Sequence, residues 1–506
     1  MHTRFSSGRF CSYRLIRRGA LVFLAIVLDR LAIYAQPATD PATAPDTPSI
    51  VIPKVELTKV PEIYAAICAS CHGAKFEGGL GGSLVDGQWH HGASDEAIAA
   101  VITGGLADKG MPAFGEAMTD AQIRALVVFI REQERLAVSS ATQLDRPVPN
   151  EAIPSQQQSF RLQVITEGLD VPWALGFLPD GRFLVTERIG RLRLIAPDGT
   201  LDPVPVADTP PVIFDGPEGG LMDVALHPDF AETGWIYLAF AEGKREDGKQ
   251  ALSMTAVVRG RLDGHRWIDQ QWIYRADAKH YTKSGAHYGS RLAFDSGYLF
   301  INVGERGAMG QAQDTARPNG KILRLHDDGR VPADNPFVGQ ANSDPALWSI
   351  GHRNAQGLVV DPRTHALYAT EHGARGGDEF NLITRGGNYG WPTITHGINY
   401  DGRPIAASTA RDGMLQPLVH WTPSIAPSGL ACYTGERFPA WSGDFFVGSL
   451  KAQELRRLRV EAGQVVQQEL LFQGFGRVRD VRSGPDGLIY ILTNSPGRLL
   501  RMLPAE

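Results

Sequence analysis

Residues 177–199 read FLPDGRFLVTERIGRLRLIAPDG, two short apolar runs each set against Pro-Asp-Gly. Proline presets φ, aspartate bonds its own backbone and glycine accepts positive φ, so this triplet reverses an extended chain. P-D-G returns at 485–487 and D-D-G stands at 327–329. Between them lie strand-like runs: GWIYLAFAE (234–242), RLAFDSGYLFINVGE (291–305), LVVDPRTHALYATEHG (358–373) and GDFFVGSLK (443–451). Alternation of such runs with turn signals predicts a degenerate repeat of roughly 50–60 residues, each unit a blade of four antiparallel strands. Residues 159–506 have room for six blades, and the last run, GRLLRML (497–503), is expected to complete the blade begun by the first. A pair of β-sandwiches is the competing architecture.

Outward towards the N-terminus the pattern changes. Residues 139–158 are rich in Ser, Gln and Pro and read as a linker, as does the Pro-, Ala- and Thr-rich stretch 36–56. Between them, residues 57–138 have helical periodicity: Pro61 opens a helix running to Cys68, Ser94 caps SDEAIAAVIT, and Thr119 with Gln122 forms a capping box before ALVVFI. The expected fold is therefore multidomain, a small all-α domain followed by an all-β six-bladed propeller. Residues 1–35 read as an export signal, with Arg4, Arg9, Arg14, Arg17 and Arg18 before the apolar Ala20–Leu28 and cleavage near Ala35. Asp29 and Arg30 cut the apolar run too short to span a bilayer, so a periplasmic protein with no stable membrane span after processing is expected. The charge balance, 50 Lys+Arg against 55 Asp+Glu, speaks against nucleic acid as a partner.

The helical domain carries C-A-S-C-H at 68–72. Two thiols at this spacing form thioethers to a haem, and the adjacent imidazole then lies under the iron. Zinc would need a second ligand pair, and the neighbouring His90 and His91 lack the required spacing. Cys68, Cys71 and His72 are thus read as a haem c site, with Met111 or Met118 as the second axial ligand. Cys11 leaves with the signal, and Cys432, among Leu430, Ala431 and Tyr433, reads as a small buried residue. The segment resembles class I cytochromes c, in which the methionine of an M-P-x-F loop ligates the iron. The resemblance selects Met111, in M-P-A-F.

The large domain resembles the soluble pyrroloquinoline-quinone-dependent glucose/aldose and sorbosone dehydrogenases, which are six-bladed propellers. The resemblance is carried by VPWALGFLPDGRFLVTER (171–188), EGGLMDVALHPDF (218–230), AHYGSRLAF (286–294), GHRNAQGL (351–358), EHGARGGDEFNLI (371–383), GGNYGWP (386–392), SIAPSG (424–429), GSLK (448–451) and GRVRDV (476–481). It implies that Lys451, Arg477 and Arg479 bind the quinone's carboxylates, and that Arg353 and Asn354 contact its reactive carbonyl end. It further implies that Gly373 and Ala374 hold calcium through backbone carbonyls, and that His287 is the base that takes the sugar's C1 proton. Glu218 stands where the family often has a glutamine near the substrate.

Two departures stand out. The family places an aspartate just before the base, where this chain has Ala286, and it more usually has aspartate where this chain has Glu305. Another group must therefore orient His287, and Glu305 is expected on the sugar side of the site. The resulting expectation is a periplasmic quinohaemoprotein that oxidises an aldose to its lactone and passes electrons through haem c to an external cytochrome or quinone pool. An L-sorbosone or other sugar-aldehyde dehydrogenase shares the same motifs. A propeller that only binds carbohydrate or a partner, beside an electron-carrier domain, is the non-enzymatic alternative.

Overall fold

The computed structural model describes residues 53–139, 144–214, 216–245 and 249–505. The export signal expected over 1–35, with Cys11, lies outside them, as do most of the 36–56 linker and the start of the 139–158 linker. Among the described residues, no helix is long and apolar enough to cross a membrane.

The helical domain begins with three consecutive helical segments, Val60–Ile63, Tyr64–Cys68 in wider π geometry, and Ala69–His72. Asp95–Gly104 follows, its Ser94 hydroxyl accepting from the Ala97 N–H at 3.2 Å. The long helix Asp120–Ser139 starts at the expected capping box: Gln122 N–H donates to Thr119 Oγ1 at 3.2 Å, and Thr119 N–H to Gln122 Oε1 at 2.8 Å. Their apolar faces enclose Val60, Ile63, Tyr64, Phe76, Ile98, Phe114 and Leu126 in one core.

Six antiparallel sheets follow, each starting with a strand that lines the centre: Pro172–Phe177, Leu221–Leu226, Gly289–Asp295, Ala355–Asp361, Pro427–Cys432 and Val478–Ser483. Five sheets have four strands. The sheet from Pro172 has three, extended by an isolated bridge from Leu192 to Val206. The ring closes as expected, because Ser159–Glu167 pairs with Gly497–Ala505 in the last sheet. The described part of the second linker lies along the propeller: Arg146 N–H donates to Gly474 O at 2.7 Å, and its guanidinium sits 4.9 Å from the Phe475 ring centre.

Inner strands of three blades are joined by buried charges. Arg291 Nη1 lies 3.2 Å from Asp223 and 3.0 Å from Asp480, and Arg482 reaches the same two carboxylates at 2.6 and 2.8 Å. With two guanidinium groups on two carboxylates, each charge of this network has a buried partner. This network supports the strand that begins just after His287.

Candidate active site

His287 stands in the turn before the strand Gly289–Asp295, in left-handed geometry at φ 57°. A β-carbon-bearing residue in this region costs on the order of 1–3 kcal/mol and persists only when its surroundings impose it. Here they do. Buried Arg306 donates from its guanidinium to the carbonyls of Ser284 and Ala286, while lying 3.3 Å above the Tyr288 ring. On the facing hairpin, a β-carbon at Gly304 would run into the His287 carbonyl, so only glycine permits this approach.

That approach brings Glu305 to the imidazole. Its side chain is 1 % exposed, and its Oε1 is hydrogen-bonded to His287 Nδ1. A carboxylate on Nδ1 favours the tautomer with its proton there, which leaves the Nε2 lone pair free to accept one. Glu305 thus does the orienting that the missing acid at 286 left open. Its other oxygen, Oε2, is buried without a hydrogen-bond partner.

Asn354 connects this pair to the next blade. Its Oδ1 accepts from Gly289 N–H at 3.1 Å and its Nδ2 donates to Glu218 at 3.1 Å, while Glu218 also accepts from Tyr288 N–H at 3.2 Å. Arg353 is held by backbone: its N–H donates to Glu371 at 2.8 Å, its carbonyl accepts from Glu305 N–H at 2.9 Å, and its Nη1 donates to Gly373 O at 2.6 Å. Gly373 N–H in turn donates to Asp378 at 2.8 Å, which also accepts from Ser424, Ile425 and Ala426 and so fixes the 373–377 loop.

Arg479, 7 % exposed, donates to Gln356 at 2.9 Å and, among the described residues, has no carboxylate within ion-pair reach. Burial, reinforced by the like charge of Arg291, pushes its pKa down to about 9. The Nε atoms of both Arg353 and Arg479 are buried without acceptors. Arg477 and Lys451 are exposed, and Arg477 precedes the strand that holds Arg479. Arg477 lies near enough to Arg479 for the two charges to repel, and Arg353 and Arg479 both act on His372; this excess of cations fits a ligand bearing several carboxylates.

Two residues belong to the site that sequence reasoning did not single out. His372 is held neutral by burial and by the charges of Arg353, Arg479 and His287, which all converge on it. Arg188, lowered by burial, neighbours Glu218 and has an unpaired buried Nη2. Both stand inside quoted motifs, and their types alone gave no sign of which way they face. For metal, the described residues contain no cluster of three or more acidic, His or Cys side chains. Donors near Gly373 and Ala374 are backbone carbonyls, which suit a hard cation.

In the helical domain, His72 Nδ1 lies 2.9 Å from Gly82 O, which leaves Nε2 for a metal. A β-carbon at Gly81 would stand 2.8 Å from His72 Cε1, so glycine admits the ring. Met118 is buried in the core, whereas Met111 lies half-buried in a loop bridged to Leu106. The arrangement fits a haem held by Cys68, Cys71 and His72.

Comparison with known proteins agrees with both halves. The family described as glucose/sorbosone dehydrogenase matches residues 169–501, and cbb3-type cytochrome c oxidase subunit III matches residues 56–130. An aldose sugar dehydrogenase from Escherichia coli is 41 % identical over 354 residues, covering 68 % of this chain and 93 % of that protein. The apo-form crystal structure of the soluble aldose sugar dehydrogenase from the same organism superposes with a TM-score of 0.63 at 40 % identity, over 68 % of this chain and all of the other. A PQQ-bound aldose sugar dehydrogenase from Streptomyces coelicolor superposes with a TM-score of 0.55 at 26 % identity, over 71 % and 99 % of the two chains.

Proposed function

The chain belongs to the glucose/sorbosone dehydrogenase family, with a cytochrome c domain at its N-terminal side, and from that premise we propose an exported quinohaemoprotein that oxidises an aldose or related sugar aldehyde at C1. When bound, pyrroloquinoline quinone supplies a two-electron oxidant, calcium a Lewis acid that polarises it, and haem c a one-electron carrier to an external acceptor. Arg479, together with Arg477 and Lys451 at the rim, binds the quinone's carboxylates. Arg353 and Asn354 would hold its reactive end, where the guanidinium would supply a positive charge for negative charge developing there. The carbonyls of Gly373 and Ala374 hold calcium; the oxygen of Gly373 has a second lone pair beyond the one taken by Arg353.

His287 Nε2 would take the proton of the C1 hydroxyl while the bound quinone, as the two-electron oxidant, would receive the C1 hydride, and an aldose would leave as its lactone. Glu305 keeps the ring in the required tautomer and balances the charge it gains. Glu218, fixed by Asn354 and Tyr288, is assigned to a sugar hydroxyl. In the helical domain, Cys68 and Cys71 would hold a haem through thioethers, with His72 and Met111 as its ligands.

The observation that carries this reading is the buried His287–Glu305 pair beside arginines that lack acidic partners. The test is reconstitution with quinone and calcium, followed by the haem spectrum on adding each of several sugars. Haem reduction that needs both quinone and sugar supports the reading. Sugar binding without haem reduction by any member of the panel would replace it with the carbohydrate-binding alternative.

A further inference from the structure

The two sites are joined by a continuous set of contacts. Arg375 directly follows Ala374, and its backbone is locked by reciprocal hydrogen bonds of 3.0 Å with Ile398, whose side chain packs into the core of the helical domain. Across the seam, the Arg375 guanidinium grips the Glu132 carboxylate, with Nε at 3.1 and 3.2 Å from its two oxygens. One turn earlier on the same helix, Phe129 places its ring centre 5.9 Å from the Arg375 guanidinium carbon. Phe129 meets Phe76 and Tyr64 edge-on at 5.4 and 6.1 Å, and those two rings stack at 3.9 Å. The Tyr64 hydroxyl donates to Gly73 O at 2.8 Å, the residue after His72. The seam is fastened elsewhere by Val60 N–H on Gly402 O at 3.1 Å and by Arg135 on Ser424 O at 3.3 Å.

We propose that Arg375 and Phe129 form the junction through which electrons pass from the propeller mouth to the haem, and that the Arg375–Glu132 pair locks the domains in the transferring arrangement. The inference rests on the function proposed above. The haem domain is then a seated relay rather than a carrier searching at the end of a linker. The balance is simple. Each reduced quinone gives up two electrons in succession and two protons to solvent. Each electron takes haem iron from the ferric to the ferrous state, and an external one-electron acceptor reoxidises the haem between the two.

The experiment uses the full-length holoprotein and two variants, Glu132→Gln and Phe129→Leu. Chemically reduced quinone is loaded anaerobically and haem reduction is followed by stopped flow; sugar serves as electron source in a parallel series. Haem reduction should slow by about threefold to thirtyfold in each variant, the range for residues that couple two sites. Quinone reduction by sugar should keep its rate. Independently of any cofactor turnover, hydrogen exchange at the Val60 amide in quinone-free protein should accelerate in Glu132→Gln and stay slow in Phe129→Leu. Wild-type haem reduction rates in both variants would overturn the junction, as would fast exchange at Val60 with undiminished haem reduction. If no sugar works while reduced quinone still reduces the wild-type haem, the substrate reading has failed and the junction is still judged by the variants.

Discussion

Replacing Glu305 with glutamine tests the centre of the mechanism with little change of shape. The carboxylate is 1 % exposed and its contact to His287 Nδ1 is out of reach of water. In the proposed mechanism His287 takes the sugar's proton, and the ring becomes a cation beside a buried anion. Removing one partner of such a pair costs about 3–5 kcal/mol, equivalent to about 10²–10³·⁵ in rate at 1.4 kcal/mol per decade. The loss is capped by what a positioned base contributes altogether, about 10²–10⁴-fold. We therefore expect sugar-driven quinone reduction to slow by about 10²–10³-fold, with quinone affinity and haem spectrum unchanged. The assay is single-turnover stopped flow of Glu305→Gln, His287→Ala and the double variant. Because Glu305 acts through His287, the double variant should be no slower than His287→Ala. A wild-type rate in Glu305→Gln, or additive losses in the double variant, would refute this division of labour.

Arg479→Met should weaken quinone binding by about 1.5–3 kcal/mol in a fluorescence titration, yet raise the melting temperature of the empty protein, since it removes a buried cation with no anion; a lower melting temperature would count against that account. Arg291→Ala strips Asp223 and Asp480 of a buried partner and should cost about 3–5 kcal/mol in chemical denaturation; a loss under 1 kcal/mol would show that Arg482 suffices. Met111→Ala should abolish the methionine–iron charge-transfer band while acid–acetone leaves the haem on Cys68 and Cys71; a surviving band would move the ligand to Met118. Burial, then the charge of neighbouring His420, pushes the His396 pKa down to about 4. The unfolded chain protonates this group near pH 6.5, so stability should fall as pH drops from about 6.5 to 4. In His396→Gln that part of the slope should vanish from the pH dependence of denaturation.

What the sequence disclosed was local chemistry. Pro-Asp-Gly turns, the capping box at Thr119 and the C-A-S-C-H spacing act over a few residues, so their geometry is written in order along the chain. The blade repeat and closure by GRLLRML followed from periodicity. The acid that orients His287 did not, because Glu305 lies 18 residues away and is carried to the imidazole by a hairpin whose register shifts between Ile301 and Val303. Glu132 and Arg375 are 243 residues apart, and neither residue type announces a partner in another domain. A spacing of two would put Arg477 and Arg479 on one face of a strand, yet only Arg479 lies on the strand, buried, while Arg477 is exposed just before it.

Closure of the last sheet by Ser159–Glu167 also sets an order of assembly. That strand is synthesised first among the blades, yet its partner Gly497–Ala505 is almost the last segment to be made. Until then the early strand keeps an open edge, and the sheet it belongs to cannot form; pairings across such sequence separation are slow to nucleate and exposed to aggregation meanwhile. The helical domain has no such wait, since all its contacts within itself are complete by Ser139. The helical domain can thus fold before the propeller ring closes, and a chain truncated before Gly497 would keep that domain but lack the strand that closes the ring.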